Sequence, residues 1–293
     1  MRREIRRTGK RRIGRDKQLL KRSTAAIFVI FTLAISYLPG TPSWDDIYAA
    51  VGLFPSPQNY DLEDLNVFFL DVGQGDSILI YTEDTSILID TGPKGNEQKI
   101  YNLLKTLKVE SLDYLIITHQ HDDHNGSQKA LEKLMPITNE IIPNKTTKMA
   151  GMTLDLKDIS LKFLGPVFVS DNLNNMSLVV KLSYKDTSFL FMADAEEDEE
   201  GSLLRTYSAE DLHADVLKVG HHGSESSSAP AFIKTVNPQF AVISVGKDND
   251  YGHPHKQTLD TLKGQNINIF RTDRDGDILF TTNGETIRFS LIK

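Results

Sequence analysis

Residues 118–126 read THQHDDHNG, directly after the apolar run 114–117 and before a helical-looking segment at 127–134. This stretch constrains the chain more than any other. Within six positions it holds His119, His121, Asp122, Asp123 and His124, on what the pattern makes the loop leaving a buried strand. Borderline divalent ions favour imidazole nitrogen with some carboxylate oxygen, and an open catalytic site needs converging ligands with one position left for water. The spacing divides the group. His119 and His121 can reach one ion from one side of an extended loop, while Asp123 and His124, further round the turn, can face a second. A solvated polar loop is the plainer alternative, and the placement of the other histidines speaks against it.

Cysteine is absent from all 293 residues, so disulfides and thiolate ligands are excluded and any metal is held by nitrogen and oxygen. Hydrophobic residues at 39% and charged residues at 25% are ordinary for a globular chain, and the length suits one large α/β domain with extensions. The net charge of −7 conceals an asymmetry. Of 33 Lys and Arg, eleven lie in residues 1–23 against two of the 40 acids, so the remainder carries −16. A domain this acidic does not bind nucleic acid through a broad basic face; it confines its cations to one groove or relies on metals.

Residues 1–23 read as a basic cytoplasmic tail, and residues 24–38 as a signal peptide or membrane anchor, because the apolar run has no polar face. Its fifteen residues would span roughly 22 Å as a helix, against a hydrocarbon core of roughly 30 Å, which suits a cleaved signal and is marginal for an anchor. Either way the rest of the chain is expected outside the cytoplasm. Residues 39–64, with four prolines, read as a linker, and residues 65–293 as the folded domain.

Within that domain, short strands are expected around a glycine-rich turn at residues 73–76, at 86–90 and at 114–117. A hairpin of 177–184 and 188–194 follows, then strands at 240–245, 267–270, 277–281 and 286–291, with helices at 97–107, 196–206, 229–236 and 257–262. Gln74 and Asp76 fit either lining the site or shaping their turn, with the turn favoured; Asp122 reads as solvated, and residues 195–200 as an acidic, solvated first helical turn. Two successive strand-then-helix halves imply an α/β architecture of two mixed sheets packed face to face with outer helices. Seven of eight histidines fall in three clusters, each after an apolar strand: the first loop, His221 with His222, and His253 with His255. Asp90 and Asp194 also end apolar runs, so these groups meet at one rim if the strands share a direction.

His119, His121, Asp123 and His124 match H-x-H-x-D-H, and by that signature the chain resembles the metallo-β-lactamase superfamily. FLDVGQGDSILI, ILIDTG, LIITHQHDDHNG, NNMSLVVKL, VLKVGHHGS, YGHPH and RTDRDGDILF occur in order across residues 66–291 and resemble the extracellular hydrolase domain of ComEC-type competence proteins. The resemblance implies an αββα sandwich, metal ligands at His119, His121, Asp123, His124, Asp194 and His221, and Asp194 as the bridge between ions. It implies that Asp90 orders the histidine loop. The superfamily often places a further histidine before the bridging carboxylate; none occurs here between Gly126 and Asp194, where the ComEC-like pattern has Asn174, Asn175 and Ser177. Asn175 is accordingly expected to support the site, and one or two divalent ions, Zn²⁺ or Mn²⁺, are expected in it. Zinc suits the histidines, and manganese suits an oxygen-richer set.

The expected activity is metal-assisted hydrolysis of a phosphodiester, with Asp123, His253 and His222 as catalytic candidates. His253 would contact the phosphate or the leaving oxygen, although Gly252 and Pro254 also fit a structural turn, and His222 also fits a packed residue. The ComEC resemblance favours DNA as the substrate, while the acidity favours a smaller or wall-attached diester of teichoic acid type. Carbonyl hydrolysis of lactonase or β-lactamase type is a rival chemistry, and a noncatalytic DNA- or wall-binding module a rival class. With a single candidate membrane segment the chain is not expected to form a channel, so a role in uptake needs a channel-forming partner.

Overall fold

The computed structural model describes residues 62–144 and 148–292. The expected basic tail, the apolar segment and nearly all of the linker lie outside the described residues. Among the described residues no helix is long and apolar enough to cross a membrane. Residues Asp61–Lys293 form one compact unit.

Fourteen strands among the described residues form two seven-stranded sheets. The first contains β1 (Leu65–Phe69), β2 (Ile78–Tyr81), β3 (Ser86–Ile89), β4 (Leu112–Ile116), β5 (Ile137–Ile141), β13 (Asp277–Thr282) and β14 (Ile287–Ile292), in the order β14-β13-β1-β2-β3-β4-β5. The second contains β6 (Thr153–Leu156), β7 (Ile159–Phe163), β8 (Val180–Tyr184), β9 (Thr187–Phe191), β10 (Val216–Lys218), β11 (Phe240–Ile243) and β12 (Asn268–Arg271), in the order β12-β11-β10-β9-β8-β7-β6. Both sheets are mixed. The first is antiparallel up to β3 and parallel from β3 through β5; the second is antiparallel from β6 to β9 and parallel from β9 through β12. The expected closing hairpin thus returns to the first sheet, with Leu65 opposite Thr282 and Phe69 opposite Ile278.

Alternation along the central strands builds the layers, since successive side chains of a strand point to opposite faces. Phe189, Phe191, Val216, Phe240 and Val242 join Val67, Phe69, Ile78 and Ile80 in the core between the sheets. Their neighbours Leu190, Leu217, Ala241 and Ile243 turn outward into a second core. The α-helices among the described residues are α1 (Glu97–Thr106), α2 (Asp122–Asn125), α3 (Gln128–Leu131), α4 (Glu197–Thr206), α5 (Ala209–Leu212), α6 (Pro230–Val236), α7 (Lys256–Gly264) and α8 (Thr272–Asp275). Leu203 of α4, Phe232, Ile233 and Val236 of α6, and Leu262 of α7 meet those outward side chains. Full burial of one such side chain contributes about 1.5–3 kcal/mol, which is why strands covered on both faces read as unbroken apolar runs. Phe280 ties the closing hairpin to both sheets, its ring 6.0 Å from Phe69 and 5.5 Å from Phe240.

Where parallel strands end, the chain turns sharply. Asp90 after β3, Ala193 after β9, and His221 and His222 after β10 all have left-handed backbone, with φ of 59°, 48°, 45° and 52°. Such conformations are costly for residues with a Cβ and cluster where side chains must be aimed. All of them point the chain into one rim.

Candidate metal centre

Asp90 lies at the base of this rim. Its carboxylate accepts the Thr118 backbone N–H at 2.7 Å and the Thr118 hydroxyl at 2.6 Å, and its Oδ2 is 2.7 Å from His124 Nδ1. That contact leaves His124 Nε2 facing away from Asp90, toward the cleft. His222 is set in the same manner, with Nδ1 2.8 Å from the Ser244 carbonyl oxygen. Asp194 arrives from the end of β9, its backbone N–H donating to Ser177 Oγ at 3.2 Å.

Among the described residues three groups of possible ligand atoms result; one, Asp76, Asp90 and His124, is wholly buried at the base, and Asp194 belongs to both of the others. Of these two, the first is His119, His121 and Asp194; the second is Asp123, His124, Asp194 and His222. His119 Nε2 lies 2.9 Å from His121 Nδ1 and 3.8 Å from Asp194 Oδ2. In the second group, Asp194 Oδ1 is 3.2 Å from His124 Nε2 and 3.3 Å from His222 Nε2, while Asp123 Oδ2 is 3.4 Å from His222 Nε2. His124 Nε2, His222 Nε2 and Asp194 Oδ1 are buried and make no well-formed hydrogen bond among the described residues. Buried polar atoms left in that state cost stability, and their mutual approach is the arrangement of ligands around a cation. Nitrogen and carboxylate donors in these numbers fit a divalent metal.

The charges agree with that fit. Burial pushes the Asp194 carboxyl up, but His222 and His124 overcome it and hold it well below the carboxylate range. Burial likewise pushes Asp123 up, and His222 with His124 brings it down to about 2. Burial pulls His124 down, yet Asp194 and Asp90 outweigh it and hold the ring well above its ordinary value. His119 goes the other way, lowered by burial and by the charge of His124.

The paired histidines face different partners. His222 joins the second group, and His221 does not; His221 Nε2 is 3.9 Å from Asp194 Oδ2 and 3.4 Å from Asn174 Nδ2, while its Nδ1 faces Glu196 Oε1 at 3.0 Å. Two consecutive left-handed residues reverse which imidazole the turn aims inward. Asn175 is buried with its Oδ1 accepting the Glu196 N–H at 3.0 Å, so it braces the turn after Asp194, while Asn174 lines the cleft. His253 lines the cleft as well, brought down to about 4 by burial and by the neighbouring His221 and His222.

Two corrections concern acids read as solvated or turn-forming. Asp76 is buried and pairs with Lys218, which is fully buried at the end of β10; Nζ stands 2.5 Å from Asp76 Oδ2 and 2.9 Å from the Ala193 carbonyl oxygen. Asp76 Oδ1 is 3.6 Å from His222 Nδ1, so this ion pair lies directly beneath the second group. Lys218 escaped the sequence reading, although a lysine inside the apolar run VLKVG is the signal that finds it. Glu199 and Glu200 are also buried; Glu200 accepts the Ser228 and Ala229 backbone N–H groups at 2.6 and 2.8 Å and so braces the turn that enters α6, while Glu199 accepts that of Val167 at 2.7 Å. Asp122 is exposed, and His213 Nδ1 donates to the Val236 carbonyl oxygen at 2.9 Å.

Residues 70–152 match the model of the metallo-beta-lactamase superfamily. Among solved structures, the metallo-beta-lactamase fold protein YhfI from Bacillus subtilis superposes with a TM-score of 0.50 at 12% identity, over 78% of this chain and 100% of that one. CmlA beta-hydroxylase gives a TM-score of 0.51 at 11% identity, over 85% of this chain and 61% of that one. Residues 70–152 thus carry the metallo-β-lactamase superfamily match, and the two mixed sheets give the chain the metallo-β-lactamase fold. The chain is similar to ComE operon protein 3 of Bacillus subtilis (31% identical, 77% of this chain and 34% of the relative). Competence protein ComA of Neisseria gonorrhoeae (30%, 72% and 31%) and Recombination protein 2 of Haemophilus influenzae (30%, 71% and 28%) are similar to a comparable degree. The chain therefore spans about a third of the length of these relatives.

Proposed function

We propose that the chain is an extracytoplasmic, metal-dependent phosphodiesterase that acts on DNA in a ComEC-like role. The observation that carries this reading is the convergence of unsatisfied, buried His124 Nε2, His222 Nε2 and Asp194 Oδ1 at the floor of an open cleft. His119, His121 and Asp194 would hold one ion, and Asp123, His124, Asp194 and His222 the other. A divalent ion held there, zinc or manganese, supplies Lewis acidity toward phosphoryl oxygens and lowers the pKa of water toward neutrality. Asp90 and the Ser244 carbonyl fix the ring orientations of His124 and His222, so the ligand nitrogens are aimed before binding. His253, neutral above about pH 4, offers a hydrogen bond to a phosphate oxygen rather than a charge.

Relatives named for competence and recombination are consistent with a DNA substrate, and the basic residues 1–23 before an apolar run support an extracytoplasmic domain. In that role the chain is anchored by residues 24–38 if they are uncleaved, with a separate channel-forming partner. A smaller or wall-linked phosphodiester is the second reading, favoured by a cleft whose described lining includes no Lys or Arg. The deciding experiment offers linear DNA and a small phosphodiester to the purified chain with Mn²⁺ or Zn²⁺, beside Asp123→Ala. Metal-dependent DNA cleavage that the variant loses is the expected result. Cleavage of the small diester alone moves the substrate to the second reading, and cleavage of neither by metal-loaded protein removes the phosphodiesterase.

A further inference from the structure

The loop between β11 and α7 builds an aromatic approach to the metal centre. Asn249 closes it with four hydrogen bonds: Nδ2 donates to the Gly246 and His253 carbonyls at 2.9 and 2.7 Å, and Oδ1 accepts the Tyr251 and His253 N–H groups at 3.2 and 3.0 Å. The loop so fixed holds Tyr251 at the cleft mouth, stacked on His253 with ring centroids 5.6 Å apart and planes 22° from parallel. The His253 ring is in turn 5.5 Å from His221 and 6.5 Å from His222. Rings therefore run from solvent to the ligand His222. Tyr251 is 66% exposed, so with one face on His253 its other face is open.

An aromatic ring left in water at the entrance of a site has a use if the substrate brings a ring of its own. The described lining of the cleft has no Lys or Arg, and residues 24–293 carry −16, so side-chain cations contribute little to holding a polyanion here. Stacking supplies affinity without charge and tolerates any base sequence, because every base has a π-face. Bases of a duplex already stack on one another and cannot reach such a ring. We infer that Tyr251, braced by His253, is a stacking platform for an unpaired base next to the scissile phosphodiester. The inference rests on the phosphodiesterase reading and narrows its substrate to single-stranded or frayed nucleic acid.

The test measures binding of the full chain to two fluorescent, phosphorothioate-linked probes that resist turnover, with and without Mn²⁺. One is a short oligothymidylate; the other has the same backbone with every base removed. Wild type is expected to prefer the base-bearing probe by about 5- to 150-fold, the range a base–aromatic stack supports. Tyr251→Ala is expected to lose that preference and Tyr251→Trp to keep it, with metal content matching wild type in both; in turnover of an unmodified oligonucleotide the Tyr251→Ala loss should fall on KM more than on kcat. In the double variant Trp44→Phe/Tyr251→Trp the single indole should be quenched by the base-bearing probe and not by the abasic one. Equal affinity of wild type for the two probes, or an unchanged preference in Tyr251→Ala, overturns the platform. Failure to hydrolyse DNA with a Tyr251-dependent preference intact would instead overturn the phosphodiesterase and leave the platform standing.

Discussion

At the scale of single residues, the geometry of the candidate centre depends on buried groups that do not line the cleft. Lys218 and Asp76 form an ion pair at 2.5 Å, both buried, directly below His222. Removing one member of such a pair leaves an uncompensated charge in the interior, at a cost of about 3–5 kcal/mol, whereas neutralising both costs far less. Urea unfolding of Lys218→Met should show that loss, and Lys218→Met/Asp76→Asn should recover most of it. If the double variant is as unstable as the single one, the pair is not the cause. His222 and His221 are adjacent in sequence yet differ in geometry, so His222→Ala should lower bound metal per chain while His221→Ala retains it; elemental content of the purified variants decides. Asp90→Asn should weaken metal affinity by about 10- to 100-fold, as expected when the group orienting a ligand imidazole is altered.

At the scale of elements, the buried acids of α4 link stability to pH. Burial pushes Glu199 and Glu200 up to about 7 from an ordinary 4.5, against the opposing pull of the backbone N–H groups they accept. Between those values the folded chain holds protons that the unfolded chain has released. Their contribution to stability is therefore greatest below about pH 4.5, declines as pH rises and is gone above about 7, with a limiting slope near 1.4 kcal/mol per pH unit for each group. Unfolding at about pH 5 and about pH 7.5 should show a shallower pH dependence in Glu199→Gln/Glu200→Gln than in wild type; parallel curves would remove these acids as the source. The acidic run was legible as a helix start but not as a buried one, because burial there depends on the amides of Val167, Ser228 and Ala229, distant in sequence. Strands covered on both faces, and the clustering of histidines after them, were legible from apolar runs. The short strands β5 and β6 were not, since ITNEI and TLDL carry too few apolar residues at period two to stand out, whereas β7, ISLKF, alternates apolar and polar residues and was legible although unread. The reversal of His221 and His222 was hidden as well, because a left-handed pair of non-glycine residues leaves no trace in composition.

At the scale of the whole molecule, the candidate ligands come from both sheets. His119, His121, Asp123 and His124 follow β4 of the first sheet, whereas Asp194 and His222 follow β9 and β10 of the second. An ion held by either group would therefore bridge two layers that otherwise meet mainly through apolar contact. Such a set of donors is assembled only in the folded chain, so metal binding and folding are linked by mass action. A metal at a hundred times its dissociation constant stabilises by about 2.7 kcal/mol, and for a domain of this size each kcal/mol raises Tm by about 2–4 °C. Thermal unfolding should accordingly rise by about 5–10 °C from the chelated to the Mn²⁺- or Zn²⁺-loaded protein. Asp194→Asn, which removes a carboxylate from both groups at once, should erase the difference, while Asp122→Asn, an exposed acid of the same loop, should preserve it. A metal-induced rise that survives in Asp194→Asn would mean that the ion binds elsewhere and that the two sheets are not joined through this centre.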